Sequence, residues 1–513
     1  MTAALPASPI GLDALESRLR QDLDWLDWPK KRWTPVRMHE GAEVLDVAIV
    51  GAGMAGLAAA AAMMQLGLRP VLFDQASAGL EGPWATTARM ETLRSPKQLA
   101  GPALGLPALT FRAWFEAQYG RDAWDVLDKI PRLQWMDYLR WYRRVLALDV
   151  RNEHRVHAIR PQADGLVALH LSAPGAVPDA SQGFVRYARR VVLATGRDGL
   201  GGAWVPDYAH ALPRTLWAHS ADALDYTRLA GRRVGVVGAG ASAMDVAATA
   251  LEAGARSVDL LIRRADLPRV NKGKGAGNPG FVHGFRHLPD RWKWRIRHYL
   301  ARMQTPPPHN STLRVSRHGN ARFHFACPIE RVAQIDDGRG AVAVEAHTPK
   351  GRFVFDFVLF STGFQIDWST RPEFAAFAPH VLAWKDRFAP EDGSDDREMA
   401  DSPYLGDALE FQQRTPGACP GLERIHCFAY PATLSHGTVT GDIPAISDGA
   451  LRLAQALAAR LYAEDIEHHY TNIEAFDDPE LDGTEWTPFE GAVSDASRGA
   501  APVPETEPEG TRP

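Results

Sequence analysis

Three glycines near the start of the chain have a spacing that can bind a phosphate group. Gly51, Gly53 and Gly56 form a G-x-G-x-x-G pattern between a strand-like run, VLDVAIV, and an alanine-rich helical run. In that setting the glycines permit a tight turn, and the helix N-terminus faces the phosphate charge. Asp74 ends the next strand-like run, RPVLFD, near the position from which a carboxylate binds a ribose hydroxyl. The spacing predicts a site for FAD or NAD, with a glycine-rich turn that binds nothing as the alternative.

The same stretch raises a second alternative, a membrane span. The residues VAIVGAGMAGLAAAAAMM carry no charge, and a run of about 18 apolar residues is long enough for a transmembrane helix. Clustered glycines, however, weaken a helix. We therefore expect a short buried strand, a turn and a helix packed on a sheet.

A second copy of this pattern begins at residue 232. Gly238, Gly240 and Ala243 lie in GAGASA, and alanine is an accepted third residue of the fingerprint. Arg263 and Arg264 follow the next strand-like run, where the first copy has an acid. Arginine suits a 2′-phosphate, so this copy indicates an NADP site, unless the two arginines are only a solvated strand end. Two nucleotide sites in one chain imply electron transfer between two cofactors.

The amino-acid composition argues against some classes of binding partner. The 513 residues are 45% hydrophobic and 23% charged, with a net charge of −5, so neither nucleic acid nor an anionic membrane is an expected partner. The N-terminal residues do not resemble a signal peptide, which predicts a cytoplasmic protein. No metal-ligand spacing is evident. The cysteines form no C-x-x-C pair and predict no disulfide framework; they are Cys327, Cys419 and Cys427.

The motifs together resemble the class B flavin-dependent monooxygenases, which have two dinucleotide-binding domains and include flavin-containing, Baeyer–Villiger, N-hydroxylating and YUCCA-type enzymes. The similarity covers about residues 44–460. GPWATTARMETLRSPKQL is similar to the segment that follows the FAD fingerprint, with Trp84 in the Gly-x-Trp position. GAGASAMDVA is similar to the NADPH fingerprint G-x-G-x-S-G-x-D, with Ser242 and Asp245 in place. VVLATG and VLFSTGF are similar to the two ATG-type segments, which place Thr195, Thr362 and Gly363 at the cofactors.

The resemblance implies FAD and NADPH as cofactors, with O2 and a small molecule as substrates. NADPH reduces the flavin, a C4a-(hydro)peroxyflavin forms, and one oxygen atom passes to a small polar substrate, with an amine nitrogen or another heteroatom as our first expectation. Three alternatives stay open: Baeyer–Villiger oxygenation of a carbonyl, an NAD(P)H:acceptor reductase without oxygen transfer, and a flavin-binding sensor. The family motif F-x-G-x-x-x-H is eroded, since Pro213 and Thr215 replace its Phe and Gly and only His219 remains. The sequence does not fix the oligomeric state, and a homodimer is compatible with it.

Polar residues around the expected flavin supply catalytic candidates. Arg89 and Arg94 could stabilise developing negative charge or hold a substrate carboxylate; the alternatives are FAD phosphates or ion pairs with Glu91. His219 could hydrogen-bond NADP or be an ordinary loop histidine. Trp84 could stack on the flavin or belong to the core. His436 could approach the flavin edge or cap a helix, and Asp448 could cap the helix of the closing FAD segment.

These features predict an α/β fold of two Rossmann-like dinucleotide-binding domains, with the NADPH domain inserted into the FAD domain. The basic run RWKWRIRHYLAR, at 291–302, is interpreted as a solvated helix that covers the NADPH domain. The predicted units are an N-terminal helical arm (1–43) that docks on the body or presents a partner surface, the first segment of the FAD domain (44–210), the NADPH domain (211–345), the second segment of the FAD domain (346–465) and a partly disordered acidic tail (466–513).

Overall fold

The chain forms two parallel sheets, seen in a computed structural model that describes residues 10–172, 183–336, 340, 342–391 and 393–491. The last 22 residues of the predicted tail, 492–513, lie outside this range. The helices are α1 Leu12–Trp25, α2 Met54–Gln65, α3 Phe111–Val126, α4 Arg132–Val145, α5 Ala241–Glu252, α6 Pro279–Gly284, α7 Asp290–Met303, α8 His309–Ser316, α9 Trp384–Arg387, α10 Arg397–Asp401, α11 Thr433–His436, α12 Ile446–Glu464 and α13 Ile466–Glu474. The strands are β1 Met38–His39, β2 Ala42–Glu43, β3 Leu45–Val50, β4 Pro70–Phe73, β5 Val150–Arg151, β6 Val156–Pro161, β7 Val167–Ser172, β8 Gly183–Leu193, β9 Gly201–Ala203, β10 Trp217–His219, β11 Arg233–Val237, β12 Ser257–Leu261, β13 Ala321–His324, β14 Arg331–Asp336, β15 Val342–Thr348, β16 Gly351–Phe355, β17 Phe357–Phe360, β18 Phe364–Ile366 and β19 Ile425–Cys427.

The first sheet carries the first glycine fingerprint. Its strand order is β5-β4-β3-β8-β7-β6, with β19 paired in parallel to the end of β8. Strands β3, β4, β5, β8 and β19 run parallel, whereas β6 and β7 form an antiparallel extension. Val47, Ala48 and Ile49 of β3 are fully buried, as expected for a central strand covered on both faces. The uncharged stretch is therefore a strand, a turn and helix α2, as the glycines predicted.

The second sheet is parallel throughout, with the order β10-β17-β11-β12-β13. An antiparallel sheet, β14-β15-β16, precedes β17. Because β17 lies between β10 and β11, the chain stays in the second domain until residue 360, beyond the boundary expected at 345. It then returns through β18, which pairs with β9. Sequence reasoning placed this boundary too early because the strand pattern of β17 resembles the end of β8.

The N-terminal arm docks on the first domain. Leu15, Leu19 and Leu23 of α1 are buried in the same core as β3 and α2. The indole N–H of Trp33 donates to the carbonyl oxygen of Leu66 at 2.7 Å, at the end of α2. Docking, rather than a free partner surface, therefore accounts for the apolar stripe of the arm.

The basic helix α7 packs where the sequence did not predict. Its buried Trp294 clusters with Trp384, Met399 and Leu434, which follow the second sheet in the chain. The helix therefore packs on the segments around α9, α10 and α11, and its last turn also contacts the expected NADPH domain through the hydrogen bond from Arg264 to the carbonyl oxygen of Arg302. Helix α13 belongs to a separate unit that begins at Asp465.

Among the described residues, no helix is long and apolar enough to cross a membrane.

Candidate functional site

The first fingerprint forms a tight turn at the carboxyl end of β3. Gly51 has φ 102°, and a Cβ at this position would lie 2.5 Å from the carbonyl oxygen of Ala194. A Cβ on Gly56 would lie 2.0 Å from the carbonyl oxygen of Gly51. Both positions therefore need glycine, one for conformation and close approach and the other for packing of the helix on the turn.

The middle glycine lines open space instead. A Cβ on Gly53 would meet only the backbone of Gly82, with the Cα at 3.7 Å. Gly53 is also the N-cap of α2 and has no side-chain cap, so the first N–H groups of the helix are available to an anion. This cradle fits the pyrophosphate of FAD.

Asp74 stands beside this turn. Its carboxylate accepts hydrogen bonds from the backbone N–H of Ala52, at 2.7 Å, and of Ala76, at 2.8 Å. Burial raises the pKa of Asp74, and these two hydrogen bonds oppose the rise. Two accepted bonds leave lone pairs on a carboxylate, so the predicted ribose contact stays a prediction.

The second fingerprint repeats the same geometry. Gly238 has φ 134°, and a Cβ there would lie 2.5 Å from the carbonyl oxygen of Ser361. Gly240 faces open space and is the N-cap of α5, again without a side-chain cap. Ser242 is exposed in the first turn of that helix. This second cradle fits the pyrophosphate of NADPH.

The two arginines after β12 differ from each other. Arg263 is exposed and makes no hydrogen bond or salt bridge with the described residues. Arg264 is half-buried and donates to the carbonyl oxygen of Arg302 at 3.2 Å. Arg263 is therefore the freer of the two to bind a 2′-phosphate.

The loop after the first cradle is held by contacts with other regions of the protein. The Arg89 guanidinium stacks on Tyr226 at 5.3 Å and donates to the carbonyl oxygen of Thr86 at 2.6 Å. Arg94 donates to the carbonyl oxygen of Pro306 at 2.6 Å. Neither arginine forms the alternative ion pair with Glu91.

Glu91 pairs instead with Arg314, whose Nε lies 3.5 Å from the carboxylate oxygen of Glu91.

The half-buried Trp84 lies edge-on to Trp135, with ring centroids 6.4 Å apart. This contact places one side of Trp84 in the core and leaves its stacking on flavin a prediction.

His219 ends β10 and is buried. Its Nδ1 accepts a hydrogen bond from the backbone N–H of Ala221 at 3.1 Å, and its ring meets Phe364 edge-on. Burial lowers the pKa of His219, while the carboxylate of Asp222 opposes the shift. A neutral histidine thus stands at the carboxyl end of the second sheet.

The threonines of the two ATG-type segments are bonded locally. The Thr195 hydroxyl donates to the carbonyl oxygen of Gly199 at 3.0 Å, and the Thr362 hydroxyl donates to that of Trp204. These bonds fix the turns that follow β8 and β17. Gly363, with φ 90°, faces open space, so backbone at this turn can approach a ligand.

The two predicted residues of the closing segment, His436 and Asp448, contact other parts of the protein, and their roles at the cofactor stay predictions. His436 is buried at the end of α11, and its Nε2 lies 2.9 Å from the carbonyl oxygen of Gly406. It therefore caps no helix start. Asp448 is not the N-cap of α12, because this helix already begins at Ile446. The carboxylate lies in the first turn, 3.7 Å from the ring of His283.

A polar pocket that sequence reasoning missed lies at the carboxyl ends of β8 and β19. Arg197 follows the VVLATG segment, and its guanidinium lies 3.3 Å from the ring centroid of Tyr430 and 3.6 Å from Glu398. Arg297 of α7 and Phe364 line the same pocket. The position of Arg197 directly after an ATG-type segment was an available signal. Arg297 was hidden within a run interpreted as a solvated helix.

The described residues contain no cluster of His, Cys, Asp and Glu that could hold a metal ion. All three cysteines are described, buried and free.

Comparison with known proteins adds a family context. The chain matches a family model of FAD-NAD(P)-binding proteins over residues 48–198, and one of L-lysine 6-monooxygenase/L-ornithine 5-monooxygenase over residues 126–310. It is 39% identical over 460 residues to the FAD-dependent urate hydroxylase of Xanthomonas campestris, and the match covers 89% of this chain and 94% of that protein.

Solved structures share the fold. An ornithine hydroxylase from Pseudomonas aeruginosa superposes with a TM-score of 0.63 at 15% identity, over 82% of this chain and 100% of that one. An L-lysine 6-monooxygenase from Pseudomonas syringae has a TM-score of 0.60 at 19% identity, over 81% of this chain and 99% of that one.

Proposed function

Because the chain belongs to the class B flavin-dependent monooxygenases, which act with FAD and NAD(P)H, we propose that it hydroxylates urate or a closely related heterocycle at the expense of NADPH. The observation that carries this proposal is the 39% identity, across nearly all of both chains, to a protein named FAD-dependent urate hydroxylase. In such a reaction one atom of O2 enters the substrate as hydroxyl. The other leaves as water, which takes a hydride (two electrons and a proton) from NADPH and one further proton from solvent.

The protein's own groups bind and orient the reactants. When bound, FAD supplies the electron transfer and oxygen chemistry that no side chain provides. The uncapped N-termini of α2 and α5, at Gly53 and Gly240, bind the two pyrophosphates. Arg263 binds the 2′-phosphate and so selects NADPH over NADH.

The pocket beside Arg197 is the proposed substrate site. It lies beyond the carboxyl ends of parallel strands, where open α/β sheets bind their ligands. The aromatic rings of Tyr430 and Phe364 can cover a planar ring, while Arg197 and Glu398 supply polar contacts. Leu200 adds an apolar side chain to the lining.

N-hydroxylation of an amine is the second candidate. The match of residues 126–310 to the lysine and ornithine monooxygenase model favours it. An amine substrate would use the carboxylates of the pocket, Glu398 among them, rather than its arginines.

One experiment separates the two candidates. Purified FAD-loaded protein is mixed with NADPH and O2, and with urate, ornithine, lysine or cadaverine in turn. We expect NADPH oxidation to rise with urate, with consumption of urate equal to that of NADPH. If one of the amines is converted to a hydroxylamine and urate does not react, amine N-hydroxylation replaces urate hydroxylation as the proposed function. NADPH oxidation that yields only hydrogen peroxide with every compound would overturn both.

A further inference from the structure

We propose that Arg297 and Glu398 are the specificity-determining pair of this enzyme, and that together they recognise the carbonyl and N–H groups along one edge of a planar heterocycle. The inference rests on the proposed function and deepens it, because it assigns substrate recognition to two residues on different helices. Arg297 comes from α7 and Glu398 from α10, and both line the pocket beside Arg197.

The position of Arg297 is fixed by its helix. Trp294, one turn earlier in α7, is buried against Trp384 and donates from its indole N–H to the carbonyl oxygen of Ser394 at 3.0 Å. This anchor holds α7 against the segment that leads into α10. The Arg297 guanidinium is therefore presented to the pocket by a rigid element.

Arg297 has unused hydrogen-bonding capacity. Among the described residues it makes no hydrogen bond or salt bridge, although its side chain is half-buried. A guanidinium carries five N–H donors in a planar fork. The Arg297 guanidinium can therefore donate to a ligand, while the carboxylates of Glu398 and Asp442 already interact with its charge. Carbonyl oxygens, or the delocalised negative charge of urate, are suitable acceptors.

Glu398 complements Arg297 as a hydrogen-bond acceptor. Its carboxylate lies 3.6 Å from Arg197, and its backbone lies in the short helix α10, which Asp396 caps through the N–H of Met399 at 3.0 Å. Burial raises the pKa of Glu398, while Arg197 and Arg297 oppose that rise. The carboxylate retains lone pairs that can accept N–H groups of a ligand.

Asp198, Asp396 and Arg197 are the other charged residues that line the pocket. Asp396 serves the cap of α10, and Arg197 is held by the Tyr430 ring and Glu398. Asp442 interacts electrostatically with Arg297, Arg197 and Arg94. Arg297 and Glu398 thus offer a donor and an acceptor to the same pocket. Urate alternates carbonyl and N–H groups around its rings, which fits such a pair.

The aromatic side chains of the pocket are suited to a planar ligand. Phe364 and Tyr430 line the pocket with Arg197, whose guanidinium lies 5.7 Å from the Phe364 ring and 3.3 Å from that of Tyr430.

Binding of urate to the oxidised, FAD-loaded protein tests the inference. We expect Arg297→Gln and Glu398→Gln each to weaken urate binding about tenfold or more, as the loss of a hydrogen bond to a charged group does. Arg297→Lys keeps the charge but loses the planar fork, so it should bind urate with intermediate affinity. The matched control is Arg295→Gln, on the same helix, where the exposed guanidinium lies 5.2 Å from the ring centroid of Trp292. The affinity of this variant should stay within about twofold of the wild type.

A second readout excludes a merely structural effect. The FAD content and the Tm should match the wild type in all four variants, and the rate at which NADPH reduces the flavin in the absence of urate should match it in Arg295→Gln. Wild-type protein that binds urate, together with Arg297→Gln protein that binds it equally well, would overturn this inference and leave the proposed function standing. Wild-type protein that neither binds urate nor consumes it would overturn both.

Discussion

The carboxylate of Asp245 lies 3.8 Å from the guanidinium of Arg314, and both side chains are buried. Asp245 belongs to the helix of the second fingerprint. Arg314 also donates to the carbonyl oxygen of Arg89 at 3.1 Å and pairs with Glu252 at 2.7 Å. The acid of the G-x-G-x-S-G-x-D motif therefore connects the NADPH-binding helix to the loop that follows the FAD cradle.

This connection predicts an effect of Arg314 on hydride transfer. Arg314→Gln leaves the buried Asp245 without its cation and loosens the loop at Arg89, so we expect the rate of flavin reduction by NADPH to fall about tenfold. Anaerobic stopped-flow spectroscopy measures this rate. Arg317→Gln is the control, because Arg317 is exposed and pairs with the same Glu252, at 2.9 Å, but with neither Asp245 nor the loop at Arg89. Equal rates in both variants would contradict a coupling role for Arg314.

The two fingerprints predict opposite outcomes for two similar substitutions. Gly56→Ala places a Cβ 2.0 Å from the carbonyl oxygen of Gly51, so we expect the purified protein to lack FAD and to unfold at a lower temperature. Gly240→Ala places its Cβ in open space, where the NADPH pyrophosphate would approach.

The Gly240→Ala variant should therefore retain FAD, while its KM for NADPH rises about tenfold, or ~1.4 kcal/mol. Flavin absorbance, Tm and steady-state kinetics check both variants. An unchanged KM for NADPH in Gly240→Ala would mean that the pyrophosphate does not bind at the N-terminus of this helix.

Selection of NADPH over NADH should depend on Arg263. Removal of a guanidinium that binds the 2′-phosphate costs a charge-assisted hydrogen bond, so Arg263→Ala should raise the KM for NADPH about tenfold and leave that for NADH unchanged. Arg264→Ala should have a smaller effect, because Arg264 already donates to the Arg302 carbonyl. Arg269→Ala is the control; its guanidinium is exposed and pairs with Asp266 at 2.9 Å. Loss of affinity for both nucleotides in Arg263→Ala would indicate a general phosphate contact.

The family, the α/β fold, the enzyme class and the two cofactors could be predicted from the sequence, and the comparisons confirm them. The reason is that glycine positions such as Gly51 and Gly238 are dictated by local backbone geometry, which a short motif records. The substrate pocket could not be predicted in this way. Arg297 and Glu398 are more than 100 residues apart in the chain, and only the packing of Trp294 against Trp384 brings their helices to one cavity.

The same argument explains the misplaced domain boundary. Strand β17 has a typical buried-strand pattern, and nothing within it specifies which sheet it joins. Its place between β10 and β11 is set by side chains from the rest of the second domain, such as Phe355, whose ring a Cβ on Gly235 would meet at 2.8 Å. Selection of a sheet is thus a long-range packing property rather than a local one.

Acid should destabilise the protein through His436. Burial lowers the pKa of this histidine to about 4, whereas the unfolded chain takes up the proton near pH 6.5. The stability that the neutral ring contributes is therefore fully present above pH 6.5 and is lost as the pH falls toward 4, by at most about 3 kcal/mol. His436→Gln retains an N–H donor for the Gly406 carbonyl and has no proton to gain.

We therefore expect the Tm of His436→Gln to decline less than that of the wild type between about pH 7.5 and about pH 4.5. The control is His309→Gln, since His309 is exposed at the start of α8, and its Tm should follow the wild-type curve. Parallel curves for all three proteins would mean that the pKa of His436 is the same in the folded and the unfolded chain, which would contradict the lowering of this pKa by burial.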